Sequence, residues 1–366
     1  MYRLHTGKDF LLGSLFCILA LSAFRANAQE PISQTEPDVS LVCIIGVGDM
    51  MLGTNYPSTS YLPPNGGKDL LAEVQQILRE ADVTFGNLEG TILDSGGTAK
   101  RCKNPDLCYA FRSPESYAQH FADAGFDFLS LANNHSGDFG PTGRQRTKEV
   151  LDELQIRYAG LAGSDEQAVL EKDGLTYGFC AFAPNSGTCD IRQISRAQAI
   201  VRELADRCDI VIVSFHGGAE GASHQNVPRT TETYYGENRG NVHQFAHAVV
   251  DAGADLVFGH GPHVTRAVEL YKDRFIAYSL GNFCTYGRFN LRGPAGIAPI
   301  VKVYTDTEGA FVTGEIISTY QAKMHGPKID PQHQALKRIM ELSAQDFPES
   351  PLQIDADGQL SKKTSD

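Results

Sequence analysis

The chain has 366 residues, of which 42% are hydrophobic and 21% are charged, and this composition excludes a disordered or collagen-like protein. There are 32 Lys and Arg residues against 44 Asp and Glu, which gives a formal net charge of −12. No global positive field exists to gather a phosphate backbone, so a nucleic-acid partner is not expected. Away from the N-terminus no apolar run reaches the length of a membrane-spanning helix, which excludes a polytopic membrane protein.

The N-terminus has the pattern of an export signal. Basic residues precede an apolar stretch from Phe10 to Phe24, and an A-N-A sequence that ends at Ala28 supplies the small residues that signal peptidase requires. We therefore expect a signal peptide at residues 1–28, cleaved near Ala28, and a polar linker at residues 29–38. The mature protein is then periplasmic or secreted. The alternative is an uncleaved anchor that holds the protein on the membrane, facing outside.

Strand-like and helix-like segments alternate after the linker, which is typical of an α/β fold. Apolar runs predict strands at residues 39–49, 83–90, 126–135, 177–183, 209–218 and 254–261. Helical periodicity predicts helices at residues 70–82, 114–125, 143–155, 194–207 and 241–253. Apolar runs at residues 275–283, 299–306 and 310–320 follow without a long helix between them, which indicates an antiparallel part of a sheet. A last helix at residues 331–345 completes one domain of residues 39–345, and a loose polar tail is expected at residues 346–366.

Two pairs of cysteines are close in sequence, Cys102 with Cys108 and Cys180 with Cys189. In an oxidising compartment each pair can close a short disulfide loop, and the alternative is a set of free thiols. The cysteine spacings do not match those of zinc fingers, so a structural zinc site is not expected.

Polar residues that can bind metals recur where the predicted strands end. In chain order they are Asp49, Asn87, Glu89, Asn133, Asn134, His135, His216, His260 and His263. The C-terminal ends of strands in an α/β sheet meet at one edge, where loops build sites, so we expect these side chains to converge. The alternative is a set of unrelated polar turns. Carboxylates and imidazoles suit Mn, Fe or Zn, and the sequence therefore predicts one or two divalent metal ions.

Six motifs occur in the order GDMMLG, NLEG, ANNHSGDFG, FHGGAE, GHGPHV and YSLGNF. This order resembles the bacterial capsule-synthesis CapA family, also called the PgsA-type poly-γ-glutamate proteins, over roughly residues 41–290. The resemblance implies a fold like that of the calcineurin-like metallophosphoesterases, a four-layer αββα sandwich of two mixed sheets. It implies that the metal ligands are Asp49, Glu89, Asn134, His216, and His260 or His263.

The same resemblance implies a catalytic role for His135, which would protonate a leaving oxygen or bind a substrate phosphate. Asp138 lies three residues further on and is placed to orient the His135 imidazole. The sequence departs from the phosphoesterase pattern at three metal positions. Met51 replaces an imidazole, Glu89 stands for a bridging Asp, and the final Gly-His-x-His motif is one residue longer, from Gly259 to His263. These changes favour one well-held ion with a weaker second site.

Two hypotheses for function follow. The first is an exported metal-dependent hydrolase or transferase that acts on an anionic cell-envelope polymer, or its precursor, at a phosphoester, anhydride or amide bond. The second is a non-catalytic partner in the assembly or export of such a polymer, together with membrane subunits that synthesise it. Capsule and poly-γ-glutamate are the polymers that the resemblance implies, and likeness of fold does not decide between the two hypotheses.

His243 and His247 are four residues apart on a predicted helix, a spacing that can hold zinc. No Glu follows the first of them as in a zincin. We interpret these residues as a solvated or capping pair.

Overall fold

The computed structural model describes residues 40–102, 108–322 and 324–363. The predicted signal peptide, its cleavage site and the linker lie outside the described residues. Within the described ranges, every helix is too short or too polar to span a membrane.

The secondary structure follows the predicted alternation closely. The strands are, in chain order, β1 (Val42–Met51), β2 (Val83–Leu88), β3 (Thr91–Ile92), β4 (Arg112–Ser113), β5 (Phe128–Ser130), β6 (Arg157–Ala159), β7 (Gln167–Lys172), β8 (Leu175–Phe182), β9 (Ile210–His216), β10 (Thr233–Tyr234), β11 (Glu237–Asn238), β12 (Leu256–His260), β13 (Val268–Tyr271), β14 (Arg274–Ala277), β15 (Asn282–Thr285), β16 (Ile297–Thr305), β17 (Phe311–Gln321), β18 (Pro327–Ile329), β19 (Leu352–Ile354) and β20 (Gln359–Lys362). The α-helices are α1 (Gln75–Leu78), α2 (Ala118–Asp123), α3 (Gly140–Glu153), α4 (Ile194–Ala205), α5 (Val242–Val250) and α6 (Gln334–Asp346).

Most of these strands form two mixed sheets. The larger sheet has the order β19-β20-β17-β16-β1-β2-β5-β6, with β15 beside the end of β1 and β18 beside β17. Its β1, β2, β5 and β6 run parallel, whereas β16 and β17 are antiparallel, so the predicted antiparallel part is confirmed for residues 299–306 and 310–320. The prediction is wrong for the run at residues 275–283, which is divided between β14, parallel to β12 in the other sheet, and β15, parallel to β1. The smaller sheet has the order β13-β14-β12-β9-β8-β7, and its central strands β8, β9, β12 and β14 are parallel.

The two sheets pack face to face through large aromatic side chains. The ring of Phe85 on β2 lies 5.4 Å from that of Phe258 on β12 and 5.4 Å from that of Phe179 on β8. Gly46 on β1 permits this approach, because a Cβ there would lie 2.5 Å from the Phe258 ring. Helices α1, α2 and α3 cover the outer face of the larger sheet, and α4 and α5 cover that of the smaller one. The predicted four-layer αββα sandwich is therefore confirmed.

The helix predicted at residues 70–82 is shorter in the structure. Only Gln75–Leu78 is α-helical, and the preceding residues form tight turns such as the one in which the Val74 amide donates to Leu71 O at 3.1 Å. Leu71, Val74 and Leu78 still face the core. The helix-like spacing of apolar residues is thus met by turns, which place the same side chains inward without a regular helix.

The tail predicted at residues 346–366 is not loose over its described part. Strands β19 and β20 pair with each other, and β20 pairs with β17, so the larger sheet and the domain continue to Lys362. Leu360 is fully buried, while its neighbours Gln359 and Ser361 are exposed. Because successive side chains of a strand point to opposite faces and one face of β20 is exposed, the segment reads as polar although it belongs to the sheet.

The two predicted cysteine pairs have different outcomes. Cys102 and Cys108 form a disulfide that closes a short loop. Cys180 and Cys189 remain free thiols, and both are buried between the smaller sheet and its helices. Burial raises the pKa of the Cys180 thiol well above its usual value, so this side chain is an unreactive core residue.

Candidate metal centre

The predicted site residues come together because the strands that carry them are neighbours in register. Asp49 on β1 lies opposite Asn87 on β2, and His216 at the end of β9 lies opposite His260 at the end of β12. These pairs belong to the two different sheets, and the contact between Asp49 and His260 joins them. The strand ends therefore converge as the sequence predicts.

Asp49 is the centre of this network. Its Oδ1 accepts hydrogen bonds from Asn87 Nδ2 at 2.8 Å and from His260 Nδ1 at 3.1 Å, and its Oδ2 accepts one from His263 Nδ1 at 2.8 Å. Burial by itself raises the pKa of Asp49, but the hydrogen bonds from the two histidines outweigh burial and lower it. The pKa of His263 moves the other way, because its bond to Asp49 outweighs burial and raises it to about 9. Asp49 is thus an ionised carboxylate.

Glu89 is a second buried carboxyl group beside Asp49. The Asn87 side-chain amide donates to both carboxyl groups, and Glu89 Oε2 lies 3.5 Å from His216 Nδ1. Burial, and then the negative charge of Asp49, raise the pKa of Glu89 to about 8. A cation between the two groups would reverse this effect, because it favours the ionised form of both.

Several buried polar atoms at these strand ends lack a hydrogen-bond partner among the described residues. They are Glu89 Oε1, Asn134 Oδ1, His216 Nδ1 and His260 Nε2. Buried polar atoms are normally hydrogen-bonded, so a group of such exceptions needs an explanation. One ligand atom each from Asp49, Glu89 and His216 also lies within 4.8 Å of the others. The residues present therefore fit a divalent metal ion with mixed oxygen and nitrogen ligands.

The surroundings of three further residues determine whether each can act as a metal ligand. Burial, reinforced by the charge of Arg239, lowers the pKa of His216 well below its usual value and keeps the imidazole in the neutral form that can ligate a metal. Met51 is buried, and its Sδ accepts a hydrogen bond from the Gly53 amide at 3.2 Å. The thioether is therefore already hydrogen-bonded at the position where the phosphoesterase pattern has an imidazole.

Asn134 forms no hydrogen bond to the Asp49 and Glu89 cluster within the described residues.

His135 and Asp138 form a dyad at the edge of the cluster. His135 Nδ1 lies 2.8 Å from Asp138 Oδ2, and His135 Nε2 lies 4.0 Å from Glu89 Oε1. Asp138 is fixed in turn by the Phe111 amide at 2.7 Å and by Lys100 Nζ at 2.6 Å. Burial lowers the pKa of His135, with Asp138 opposing and Lys100 reinforcing this effect. The dyad thus presents an oriented imidazole whose free nitrogen is nearest to the candidate metal ligands.

Sequence reasoning missed three residues of this site. Lys100 contacts Asp138, and its Nζ lies 3.3 Å from His135 Nδ1. Phe111 lies with its ring 4.4 Å from that of His135 and 5.1 Å from that of Phe289, so the two aromatic rings cover the dyad. No periodicity or motif marks these residues, because they lie on loops outside the helices and strands.

Comparison with known proteins gives one family. Residues 43–286 match the family described as bacterial capsule synthesis protein PGA_cap. The chain is 29% identical over 293 residues to capsule biosynthesis protein CapA of Bacillus anthracis. The aligned region covers 74% of this chain and 66% of that relative, which is just under two thirds of the relative's length. It is 27% identical over 284 residues to PGA biosynthesis protein CapA of Bacillus subtilis (strain 168), and this alignment covers 74% of this chain and 70% of that relative.

Among solved structures, a hypothetical protein from Thermus thermophilus is similar with a TM-score of 0.44 and 16% identity, over 77% of this chain and 100% of that chain. A 5′-nucleotidase precursor from the same organism has a TM-score of 0.42 and 11% identity, over 84% of this chain and 59% of that chain. Similarity at this level says nothing about chemistry at the site.

Proposed function

The chain belongs to the bacterial capsule synthesis protein family PGA_cap, and we propose that it is an exported, metal-dependent hydrolase or transferase of capsule or poly-γ-glutamate metabolism. The resemblance to CapA proteins that the motifs indicate is confirmed at the level of the family. The observation that carries the proposed activity is the set of buried metal-competent atoms without partners, located beside an oriented His135 and Asp138 dyad.

Asp49, Glu89 and His216 are the proposed core of the metal site, with Asn134, and His260 or His263, as further ligands. Mn, Fe and Zn all suit this mixture of carboxylate, amide and imidazole groups. When bound, such an ion supplies Lewis-acid polarisation of the scissile bond and acidifies water. The structure favours one well-held ion over two, because Met51 does not offer the imidazole that a second site would use.

His135 is the proposed general acid. Asp138 holds the imidazole through Nδ1, and its negative charge opposes the effect of burial on the His135 pKa and so favours the doubly protonated ring. In that form the ring can give its Nε2 proton to a departing oxygen. Lys100 holds Asp138 from the other side, which keeps the buried Asp138 carboxylate paired and the ring orientation fixed. This arrangement would help most when the leaving group is a poor one, such as the alkoxide of a polymer or its precursor.

The proposed substrate is an anionic cell-envelope polymer or its precursor. The chain as a whole is acidic, with a formal net charge of −12, so attraction of an anion has to be local. Lys100, with a quarter of its side chain exposed beside the dyad, supplies a cation at the site.

The second candidate is a non-catalytic partner in polymer assembly or export that acts with membrane subunits of the synthesis machinery. The observation that favours it is Met51, since the loss of one imidazole leaves the metal set smaller than that of the phosphoesterase pattern.

One experiment separates the two candidates. The mature chain is stripped with a chelator and reloaded with Mn²⁺, Fe²⁺ or Zn²⁺, and hydrolysis of a chromogenic phosphodiester and of a γ-glutamyl anilide is followed. Metal-dependent turnover of either substrate, abolished in the matched variant Asp49→Asn, would support the hydrolase. Absence of turnover with every metal would favour the non-catalytic partner.

Export is tested separately. We expect the mature protein to begin at Gln29 and to be found in the periplasmic or secreted fraction, which mass spectrometry of the intact chain would determine. An intact Met1 in the membrane fraction would instead support the signal anchor.

A further inference from the structure

A second group of metal-binding side chains is built from α5 and β13, neither of which supplies a residue to the centre described above. His243 and His247 lie one turn apart on α5, with ring centroids separated by 4.2 Å. His247 Nε2 lies 3.1 and 3.0 Å from the two carboxylate oxygens of Glu269 on β13. One ligand atom from each of the three residues lies within 4.8 Å of the others.

The charge and polarity of this group are poorly balanced without a cation. Glu269 is 3% exposed, and its only ion-pair partner among the described residues is His247. Its second polar contact is the Tyr278 hydroxyl, which donates at 2.8 Å and carries no charge. His243 Nε2 is buried and has no hydrogen-bond partner in the part of the chain that the structure describes. A buried carboxylate and an unpartnered imidazole nitrogen are the groups that a divalent ion would satisfy.

The side chains around the group hold its members in place. Tyr271 stacks on the His247 ring at 3.7 Å, and Phe347 lies parallel to the His243 ring at 5.9 Å. The Tyr278 hydroxyl fixes the Glu269 carboxylate. Supporting contacts to the ligating side chains orient the ligands of metal sites in proteins.

The same region is open on one side. A groove of about 550 Å³ is lined by His243, His247, Arg229 and Gln198, among others. A metal with three protein ligands would therefore keep a position for water or for a small ligand from the groove.

We propose that His243, His247 and Glu269 form a second transition-metal site, of the class that binds Zn²⁺ with two histidines and one carboxylate. The site is separate from the proposed hydrolase centre and does not depend on it. The interpretation of the two histidines as a solvated or capping pair does not hold, because both rings are half-buried against aromatic side chains and His247 pairs with the buried Glu269. Their acidic partner follows His247 by 22 residues on another element, so it does not show in the helix sequence.

Zinc titration of the mature chain tests the proposal. Bound Zn²⁺ is measured by equilibrium dialysis against a chromophoric chelator for the wild type, for His243→Gln, and for His224→Gln as a matched control outside both groups of metal-binding side chains. We expect His243→Gln to bind one equivalent less than the wild type and His224→Gln to bind the same amount. We also expect Asp49→Asn combined with His216→Gln to keep this equivalent, since that pair belongs to the first centre.

A cysteine variant gives a signature that a merely structural histidine would not produce. His243→Cys loaded with Co²⁺ should show a thiolate-to-cobalt absorption band in the near ultraviolet, with the fold checked by circular dichroism. Unchanged zinc stoichiometry in His243→Gln would overturn the proposal. Absence of the cobalt band in folded His243→Cys would also overturn it, and would leave His247 and Glu269 as a simple ion pair.

Discussion

Replacing His135 by Gln should remove the proposed general acid while leaving the fold and the metal ligands in place. The ring is 6% exposed, and its Nδ1 hydrogen bond to Asp138 is 2.8 Å long. Gln can still donate to Asp138, and that carboxylate keeps the Phe111 amide and Lys100 as partners. The buried charge of Asp138 is thus not left unpaired, and a large loss of stability is not expected.

The size of the effect depends on the leaving group. A positioned general acid contributes about 10²–10⁴-fold in rate, which is about 3–5 kcal/mol of barrier. The His135→Gln variant should therefore lose about 10²–10⁴-fold on an alkyl phosphodiester, whose alkoxide needs a proton. It should lose less than about tenfold on a bis-aryl phosphodiester, because an aryl oxide departs unaided.

The assay compares kcat for both esters in wild type and His135→Gln at equal metal content, determined on the same preparations by elemental analysis. Asp138→Asn is a second test of the dyad and should show the same preference with a smaller loss. Equal losses of His135→Gln on the alkyl and aryl esters would refute the reasoning, since His135 would then bind substrate or metal instead of giving a proton.

Three further predictions concern stability. Burial raises the pKa of Asp255 to about 6, so the contribution of this carboxyl group to the unfolding free energy is present at pH 4 and is lost as the pH rises through 6. In urea titrations, the unfolding free energy of the wild type relative to Asp255→Asn should therefore fall by roughly 2 kcal/mol between pH 4 and pH 7. Gly46→Ala should lower the unfolding free energy by about 1–3 kcal/mol, because the added methyl group would lie against Phe258, and an unchanged urea midpoint would contradict the close packing of the sheets. Leu360→Ala should cost about 2–5 kcal/mol if residues 352–362 belong to the sheet, whereas a shift below about 0.5 kcal/mol would show that this segment is loose after all.

The sequence predicts the layers of the fold and the strand ends well, for a physical reason. Buried parallel strands such as β1 and β9 are continuous apolar runs, and a polar residue at the end of such a run is conspicuous. Asp49 and His216 could be found in this way, and the topology of parallel strands then brings their ends together. These signals are local in sequence, so they need no knowledge of which elements touch.

The rest depends on contacts between elements that are remote in the chain. Lys100 reaches Asp138 from a loop, and Glu269 reaches His247 from a strand, and neither contact leaves a spacing that can be counted. Leu360 belongs to a short strand in which its exposed sequence neighbours hide its burial. In each case the side chain is ordinary in its local sequence, and only the packing gives it a partner.

The most direct test of the proposed centre is Mn²⁺ binding by the mature chain, because Mn²⁺ prefers oxygen-rich ligands and distinguishes this centre from the histidine site on α5. Free Mn²⁺ is counted by electron paramagnetic resonance in wild type, in the double variant Asp49→Asn with His216→Gln, and in His243→Gln as the control. We predict at least one bound Mn²⁺ in the wild type and in His243→Gln, and none in the folded double variant. Full Mn²⁺ binding by the double variant would contradict the assignment of the metal centre to these strand ends.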